Sequence, residues 1–318
     1  PITIRRPFVK NLKNYLDKHF HEANYKCCYE AGFSGFWAQK ELEKEGISTV
    51  VINPADIPTS DKERKQKEDK RDARKICKAL KDRSVFGIYI PSDESLHDRD
   101  IVRERYCIAK SSRRVKNQIK SHLALYNINI PEELVKKHWS ARFIKWLKQE
   151  QEKRKDLRLE LQIERLDMLR QLQLRSNRML RELGKSERYK KIYTLLRSIP
   201  GIGCITALLL ITEIMEMKRF PNIDQLMSFV GFIPTTNGSG EKTGMGHLTK
   251  RCNTRIRSAL IESSWVSIKH DSALLLKYEL FRKRMTGQQA IVRIGRIMLR
   301  RIRAVWLSDQ VYKKGIME

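Results

Sequence analysis

Residues 25–53 read YKCCYEAGFSGFWAQKELEKEGISTVVIN. Two short runs rich in β-branched and aromatic residues, YKCCY (25–29) and ISTVVIN (47–53), have the character of strands. Between them FSGFWAQKELEKEG (33–46) predicts a helix that stops at Gly46, since glycine can adopt the left-handed conformation that closes a helix. Downstream, KEDKRDARKICKALKD (67–82) predicts another helix and VFGIYI (85–90) another strand. Strand–helix–strand order at this spacing predicts parallel pairing, because parallel neighbours need a crossover connection. The first hundred residues therefore predict an α/β layer.

The rest of the chain reads as helix. Asp100 to His122 is helical and basic, and Pro131 with EELVKKHWSARFIKWL opens a new helix. Residues 148–183 contain no Gly or Pro. Within them Leu159, Ile163, Leu166, Leu169, Leu172, Leu180 and Leu183 approximate an apolar seam at three- and four-residue steps, a coiled-coil pattern that can pair within the chain or between chains. A basic, apolar-striped helix, QAIVRIGRIMLRRIRAVWLS (289–308), closes the sequence.

Charge narrows the function classes. Lys and Arg number 65 against 37 Asp and Glu, a net +28, which favours a polyanionic partner, with nucleic acid first. The longest apolar run, Cys204 to Ile211, is too short to span a bilayer. The six cysteines form no CxxC pair and have no histidine at ligand spacing, which argues against zinc or a disulfide framework and suits a reduced cytoplasm. No signal peptide is visible.

Three constellations carry candidate chemistry. In LLRSIPGIGCITALLLITEI (195–214) a Pro-Gly-x-Gly turn joins two apolar helices, the pattern of a helix-hairpin-helix. Gly201 and Gly203 would let backbone N–H groups approach a phosphate at a helix start; an ordinary helical corner is the alternative. Glu30 falls at the carboxyl end of the first predicted strand, and Asp69 and Asp72 share one face of a predicted helix. Three such carboxylates suit Mg²⁺ (or Mn²⁺), whereas the neighbouring Lys67, Glu68, Lys70, Arg71 and Arg74 equally describe a solvated helix face. Finally, GFIPTTNGSGEKTGMGHLTKR (231–251) holds five of the fifteen glycines and sets Ser239 between two of them. This is either a solvated loop or a serine offered beside Lys242, Lys250, Arg251, Arg255 and Arg257, cations able to neutralise phosphates.

In order, these segments resemble the bridge-RNA-guided DEDD transposases of bacterial insertion sequences, a family related to the Piv DNA invertases. YEAGFSGFWAQKELEKEGISTVVINPADIP is similar to the segment around that family's second acid, and KEDKRDA to its paired-Asp motif. IPGIGCITALLLITEI, RFPNIDQLMSFVGFIP and SGEKTGMGHLTKRCNTRIRSAL resemble its C-terminal transposase domain in order and spacing. The resemblance implies α/β plus α architecture: a RuvC-like, RNase H-fold domain over 1–125, a coiled-coil segment over 126–187, and a mainly helical C-terminal domain over 188–318 with a helix-hairpin-helix and a serine loop. It implies Glu30, Asp69 and Asp72 as metal-binding acids and Ser239 as a nucleophile forming a phosphoserine link to DNA during strand exchange. Gly201, Gly203, Lys250, Arg251 and Arg255 would contact nucleic acid. Donor and target double-stranded DNA, a non-coding guide RNA and further copies of the chain, as a dimer or tetramer, are the implied partners.

Two departures from the family pattern carry their own expectations. Its first acid belongs on an opening strand upstream of Glu30; Asp17 sits in an apparent helix and is not assigned, so the chain reads as an N-terminally truncated copy. Cys252 stands before Asn253 where the family has glycine, and a positive φ there would strain cysteine by about 1–2 kcal/mol. Two other readings stay open beside the transposase: an inactive nucleic-acid-binding remnant, and a RuvC-type metal nuclease without serine chemistry.

Overall fold

A computed structural model of the protein describes residues 8–32, 34–57, 68–136, 138–239 and 242–315, for 55, 235–239 and 242–246 by backbone alone. The chain divides into two compact units, Pro1–Pro91 and Ser92–Glu318.

The first described element of the first unit is α1 (Phe8–His19), which contains Asp17 ion-paired to Lys13 at 2.7 Å. Strand β1 (Lys26–Glu30) pairs in parallel with β2 (Ser48–Ile52), from Lys26 opposite Ser48 to Glu30 opposite Ile52. Helix α2 (Trp37–Lys44) makes the crossover and buries Ala38 and Leu42. It starts four residues later than the sequence pattern predicts, and Gly46 follows its end at φ +75°, the left-handed conformation expected of it. Helix α3 (Asp69–Lys81) packs on β1 and buries Ala79. A small core gathers Val9, Leu42 and Ile47, with Leu12, Leu16, Tyr25 and Cys27 against it. The strand predicted over 85–90 is not formed. Ile88 N donates to Val51 O at 2.8 Å, but Phe86 is 83% exposed and no residue of the run is fully buried, so no packed face holds a ladder there.

The described residues of the second unit are helical apart from one hairpin and its connections. Helix α4 (Asp93–Leu125) starts at Ser92, whose side chain accepts from Ser95 N, and so joins this unit rather than the first. A short α5 (Glu132–Val135) and α6 (Ala141–Arg154) replace the single helix expected after Pro131, because Ser140 caps a fresh start through Phe143 N. Helix α7 (Leu157–Lys185) follows a break inside the Gly- and Pro-free stretch: Lys155 turns left-handed at φ +52°, and Asp156 caps α7 through Leu159 N. Helices α4 and α7 pair within the chain. Contacts of Asp98 with Arg188, Arg105 with Asn177 and His122 with Asp156 run in opposite order along the two segments, so the pair is antiparallel. At its far end Val115, Ile119, Leu123, Leu159, Ile163 and Leu166 meet Phe143 and Leu147 of α6 in one core.

The larger core surrounds α9 (Cys204–Ile214), every residue of which from Ala207 on is buried. Against it pack α4, α7, α8 (Lys190–Arg197) and α11 (Thr254–Ser267). Helix α10 (Ile223–Val230), α12 (Ser272–Arg282) and α13 (Gly287–Ser308) complete the unit. Between α10 and α11, β3 (Pro234–Ser239) and β4 (Lys242–Leu248) pair antiparallel as the two arms of a hairpin.

Candidate functional site

The three acids lie in the first unit. Glu30 is the last residue of β1, half-buried at the carboxyl edge of the parallel pair. The loop beyond it is held by Tyr29, whose hydroxyl donates to Gly35 O at 3.0 Å and accepts from Gln39 N at 3.2 Å. Asp69 and Asp72 occupy the first turn of α3, where negative charge meets the positive end of the helix dipole. Arg71 pairs with Glu68 at 2.9 Å and Lys75 lies 4.0 Å from Asp72. Three carboxylates are the donor set a hard divalent cation takes. Yet among the described residues no three His, Cys, Asp or Glu are gathered as a metal site, so Glu30, Asp69 and Asp72 are not brought together. Burial raises the pKa of the two thiols on the same strand, Cys27 and Cys28, the latter to about 11.

The serine lies in the second unit, in a hairpin and not in an irregular loop. Its glycines sit within a ladder in which Asn237 faces Gly244, Gly238 faces Thr243 and Ser239 faces Lys242. Ser239, opposite Lys242, is thus the last paired residue of β3, at the far end of a two-stranded arm. The side chains of Ser239 and Lys242 lie outside the described set.

What fixes this arm is its root. Thr249 N bonds Ile233 O at 3.1 Å, closing the ladder where the chain re-enters the helical body. Arg257 Nη1 reaches both ends at once, donating to Gly231 O at 3.1 Å and Thr249 O at 2.6 Å. One of the basic residues expected to meet phosphate is therefore committed to structure. Gly231 ends α10 at φ +85°, and a Cβ there would stand 2.4 Å from Cys252 Sγ. Cys252 fills that space and is not among the described residues with positive φ, so the expected backbone strain at the missing glycine is absent. Asn253 N bonds Phe229 O at 2.7 Å, and its side chain caps α11 by accepting from Ile256 N.

That asparagine is held by an ion pair whose partners lie far apart in sequence. Glu213, on α9 and 4% exposed, accepts from Arg103 Nε at 2.7 Å, from Arg103 Nη2 at 2.9 Å and from Asn253 Nδ2 at 2.9 Å. Burial pushes the Glu213 carboxyl up, but Arg103, Asn253 and Arg99 together outweigh it and hold the pKa below the ordinary glutamate value. The single clue in the sequence is a lone glutamate inside the apolar run CITALLLITEI. Around this fixed turn Lys250, Arg251 and Arg255 are exposed.

Across α9, the Pro-Gly-x-Gly turn separates its two glycines. Gly201, at φ +84°, lies so close to α11 that a Cβ would stand 2.3 Å from Ser263 O and 2.6 Å from Ser267 Oγ. Packing accounts for that glycine. Gly203 is exposed at the start of α9 with nothing within 4 Å of an added Cβ, leaving that helix end open. Among the described residues no helix is long and apolar enough to cross a membrane.

Comparison with known proteins finds two family matches. A model for the transposase IS116/IS110/IS902 family matches residues 193–279, and a DEDD transposase model of the IS110 type matches residues 2–128. The chain is 25% identical over 238 residues to y4qE and 27% over 280 residues to y4rJ, both of Sinorhizobium fredii, with 75% and 81% of the chain aligned. It is 26% identical over 227 residues, 68% of its length, to the transposase for insertion sequence element IS1533 of Leptospira borgpetersenii. The chain spans 57%, 70% and 61% of the lengths of these three relatives, respectively.

Proposed function

We propose that the chain is a transposase of the IS116/IS110/IS902 kind, as the matches over residues 193–279 and 2–128 support, and that it cuts and rejoins DNA through Ser239. The observation that carries the proposal is the arm: Ser239 ends a hairpin whose root is clamped by Arg257 and Asn253 and flanked by exposed Lys250, Arg251 and Arg255. In this reading the Ser239 oxygen attacks a DNA phosphorus and its proton leaves to solvent. The P–O bond to the sugar breaks, the freed sugar oxygen takes up a proton, and DNA remains joined to the protein as a serine phosphodiester. Attack by a second strand's hydroxyl on that ester reverses the step and releases the serine. The flanking cations lower the cost of the extra negative charge that develops on phosphorus. Exposed Gly203, at the open start of α9, would add backbone N–H contacts to a phosphate, with Gly201 shaping the turn as in a helix-hairpin-helix.

Glu30, Asp69 and Asp72 offer the oxygen donors that Mg²⁺ or Mn²⁺ takes, although among the described residues they are not gathered into one site; an ion held by them would supply Lewis-acid polarisation of a phosphate. The first unit is read as the RNase H-like part of the enzyme on the strength of its parallel pair and crossover helix. Guide RNA enters from the family resemblance. A multimer is supported by an unpartnered apolar stripe on α7, where Leu157, Leu161, Met168, Leu172 and Met179 recur at helical spacing and stay 40–73% exposed.

The test incubates the purified chain with Mg²⁺, supercoiled DNA carrying element ends, and the RNA flanking the element. A protein–DNA adduct that survives denaturation and is missing in Ser239→Ala supports the proposal; an adduct that persists in Ser239→Ala sinks it. The separate placement of the three acids favours one other reading, binding without cleavage, which predicts tight DNA binding and no adduct or nick with any divalent ion.

A further inference from the structure

The two last long helices carry a second cationic surface that the serine chemistry does not use. Between α12 and α13 runs a groove of about 390 Å³ lined by Lys277, Phe281, Arg293, Arg296, Ile297 and Arg300, with buried Arg301 at its floor. No carboxylate lines it. Arg301 is already committed, donating to Asp271 at 3.2 Å and to Tyr312, and Arg303 donates to Phe220 O and Pro221 O. The remaining arginines, 293, 296 and 300, follow steps of three and four and so share one face of α13. Arg293 stacks over Phe281, 5.6 Å from the ring centroid, which holds the guanidinium at the groove wall.

This groove continues toward the arm. A neighbouring cavity of about 560 Å³ shares Arg293 and Arg296 and is lined on its other side by Phe232, Pro234, His247 and Leu248, the first and last turns of the hairpin root. Gln288, Gln289 and Thr286 supply uncharged polar groups between the two. One continuous, carboxylate-free surface thus leads from α13 to the base of the hairpin that ends in Ser239.

We propose that this surface is a track for the phosphate backbone of duplex DNA, set to deliver a strand to the hairpin. The geometry suits that ligand. Arg293 to Arg300 spans about 10 Å of helix, and one strand of duplex carries a phosphate every ~3.4 Å of axis, so the stripe meets two or three phosphates of one strand. Contacts of this kind are blind to base sequence and strongly salt-dependent. The proposal rests on the reading of the chain as a DNA-processing enzyme, but its test reads binding and not the serine adduct.

The experiment measures binding of the full chain to a labelled duplex of arbitrary sequence, and to a single-stranded and a duplex RNA, across a salt series. The variants are Arg296→Ala/Arg300→Ala, the charge-keeping Arg296→Lys/Arg300→Lys, and a control that removes two exposed charges elsewhere, Lys145→Ala/Lys153→Ala. Thermal melting first shows that each variant is folded. The expected result is a 10-fold or greater loss of duplex affinity in the alanine pair, with the slope of log K against log salt shallower by about two. The lysine pair recovers most of the affinity, and the control pair stays within about threefold of the parent. Equal losses in the control and groove pairs overturn the proposal, since they mark a bulk charge effect. A loss confined to RNA overturns it in favour of an RNA track. Groove variants that bind DNA like a parent forming the Ser239 adduct sink the track alone. A parent that binds no DNA sinks both readings.

Discussion

Replacing Glu213 by glutamine should loosen the seat of the hairpin from twenty-six residues away in sequence from Ser239. The carboxylate takes three donors, two from Arg103 and one from Asn253, at 2.7–2.9 Å, and is itself 4% exposed. Glutamine offers one oxygen and turns its own N–H groups toward a donor. Removing one partner of a buried pair costs about 3–5 kcal/mol. The Arg103 side chain is 34% exposed, so water recovers part of its loss and the cost falls at the low end, about 3 kcal/mol. For a unit of this size that lowers Tm by about 6–12 °C. The pH dependence has a fixed sign. The folded-state pKa of Glu213 is depressed, so the stability it contributes is full above the ordinary glutamate value of about 4.3 and is lost as pH falls through the depressed one. The Tm gap between parent and Glu213→Gln is therefore widest at neutral pH and closes in strong acid. Scanning melts at pH 7 and pH 3, with hydrogen exchange at the amides of Thr254 to Ile256, make the measurement. A gap under about 2 °C at pH 7, or one that stays constant into acid, refutes the account of the pair as the anchor of the α11 cap.

The two turn glycines should separate packing from binding. Gly201→Ala, at φ +84° with Ser263 O 2.3 Å from its Cβ, should cost at least about 2 kcal/mol in a melting experiment. Gly203→Ala, at φ −84° with open space around it, should stay within about 1 kcal/mol while weakening DNA binding; unchanged affinity would remove the phosphate contact from that helix end. On the coiled coil, Leu161→Lys with Met168→Lys, at sites 66% and 63% exposed, should leave the melt within about 0.5 kcal/mol. The same pair should lower the mass found by sedimentation; an unchanged mass would mean that this stripe holds no second copy.

The parallel pair was legible because its signal is local: β-branched and aromatic residues in runs of five, with a helix of crossover length between them. The predicted strand at 85–90 has the same composition, but Phe86 finds no face to bury, and burial is a tertiary fact. The coiled-coil seam was legible, its break less so. Lys155 needs no glycine to turn left-handed once Asp156 caps the next helix, a cap that the sequence does announce with an Asp three residues before Leu159. The hairpin is hidden by its glycines, which weaken strand propensity while leaving every backbone N–H and C=O free to pair. Least legible are Arg103, Glu213 and Arg257. Arg103 and Glu213 lie 110 residues apart and meet only because α4 packs on α9. Arg257 looked like a phosphate contact until its partners proved to be two carbonyls at the hairpin root.

Because one guanidinium ties Gly231 to Thr249, the chain between them is a cassette closed at its own socket. Its ends stay where they are whatever lies between, so lengthening the tip adds only loop entropy, about 0.6 kcal/mol for each doubling. One residue added to each strand extends the reach by roughly 3.4 Å and, strand residues alternating in face, turns the terminal side chain to the opposite side; two restore it. Reach and facing of the serine are thus adjustable in whole-residue steps without repacking a single helix, which makes the length of this cassette the natural dial for the distance at which the chain engages its substrate.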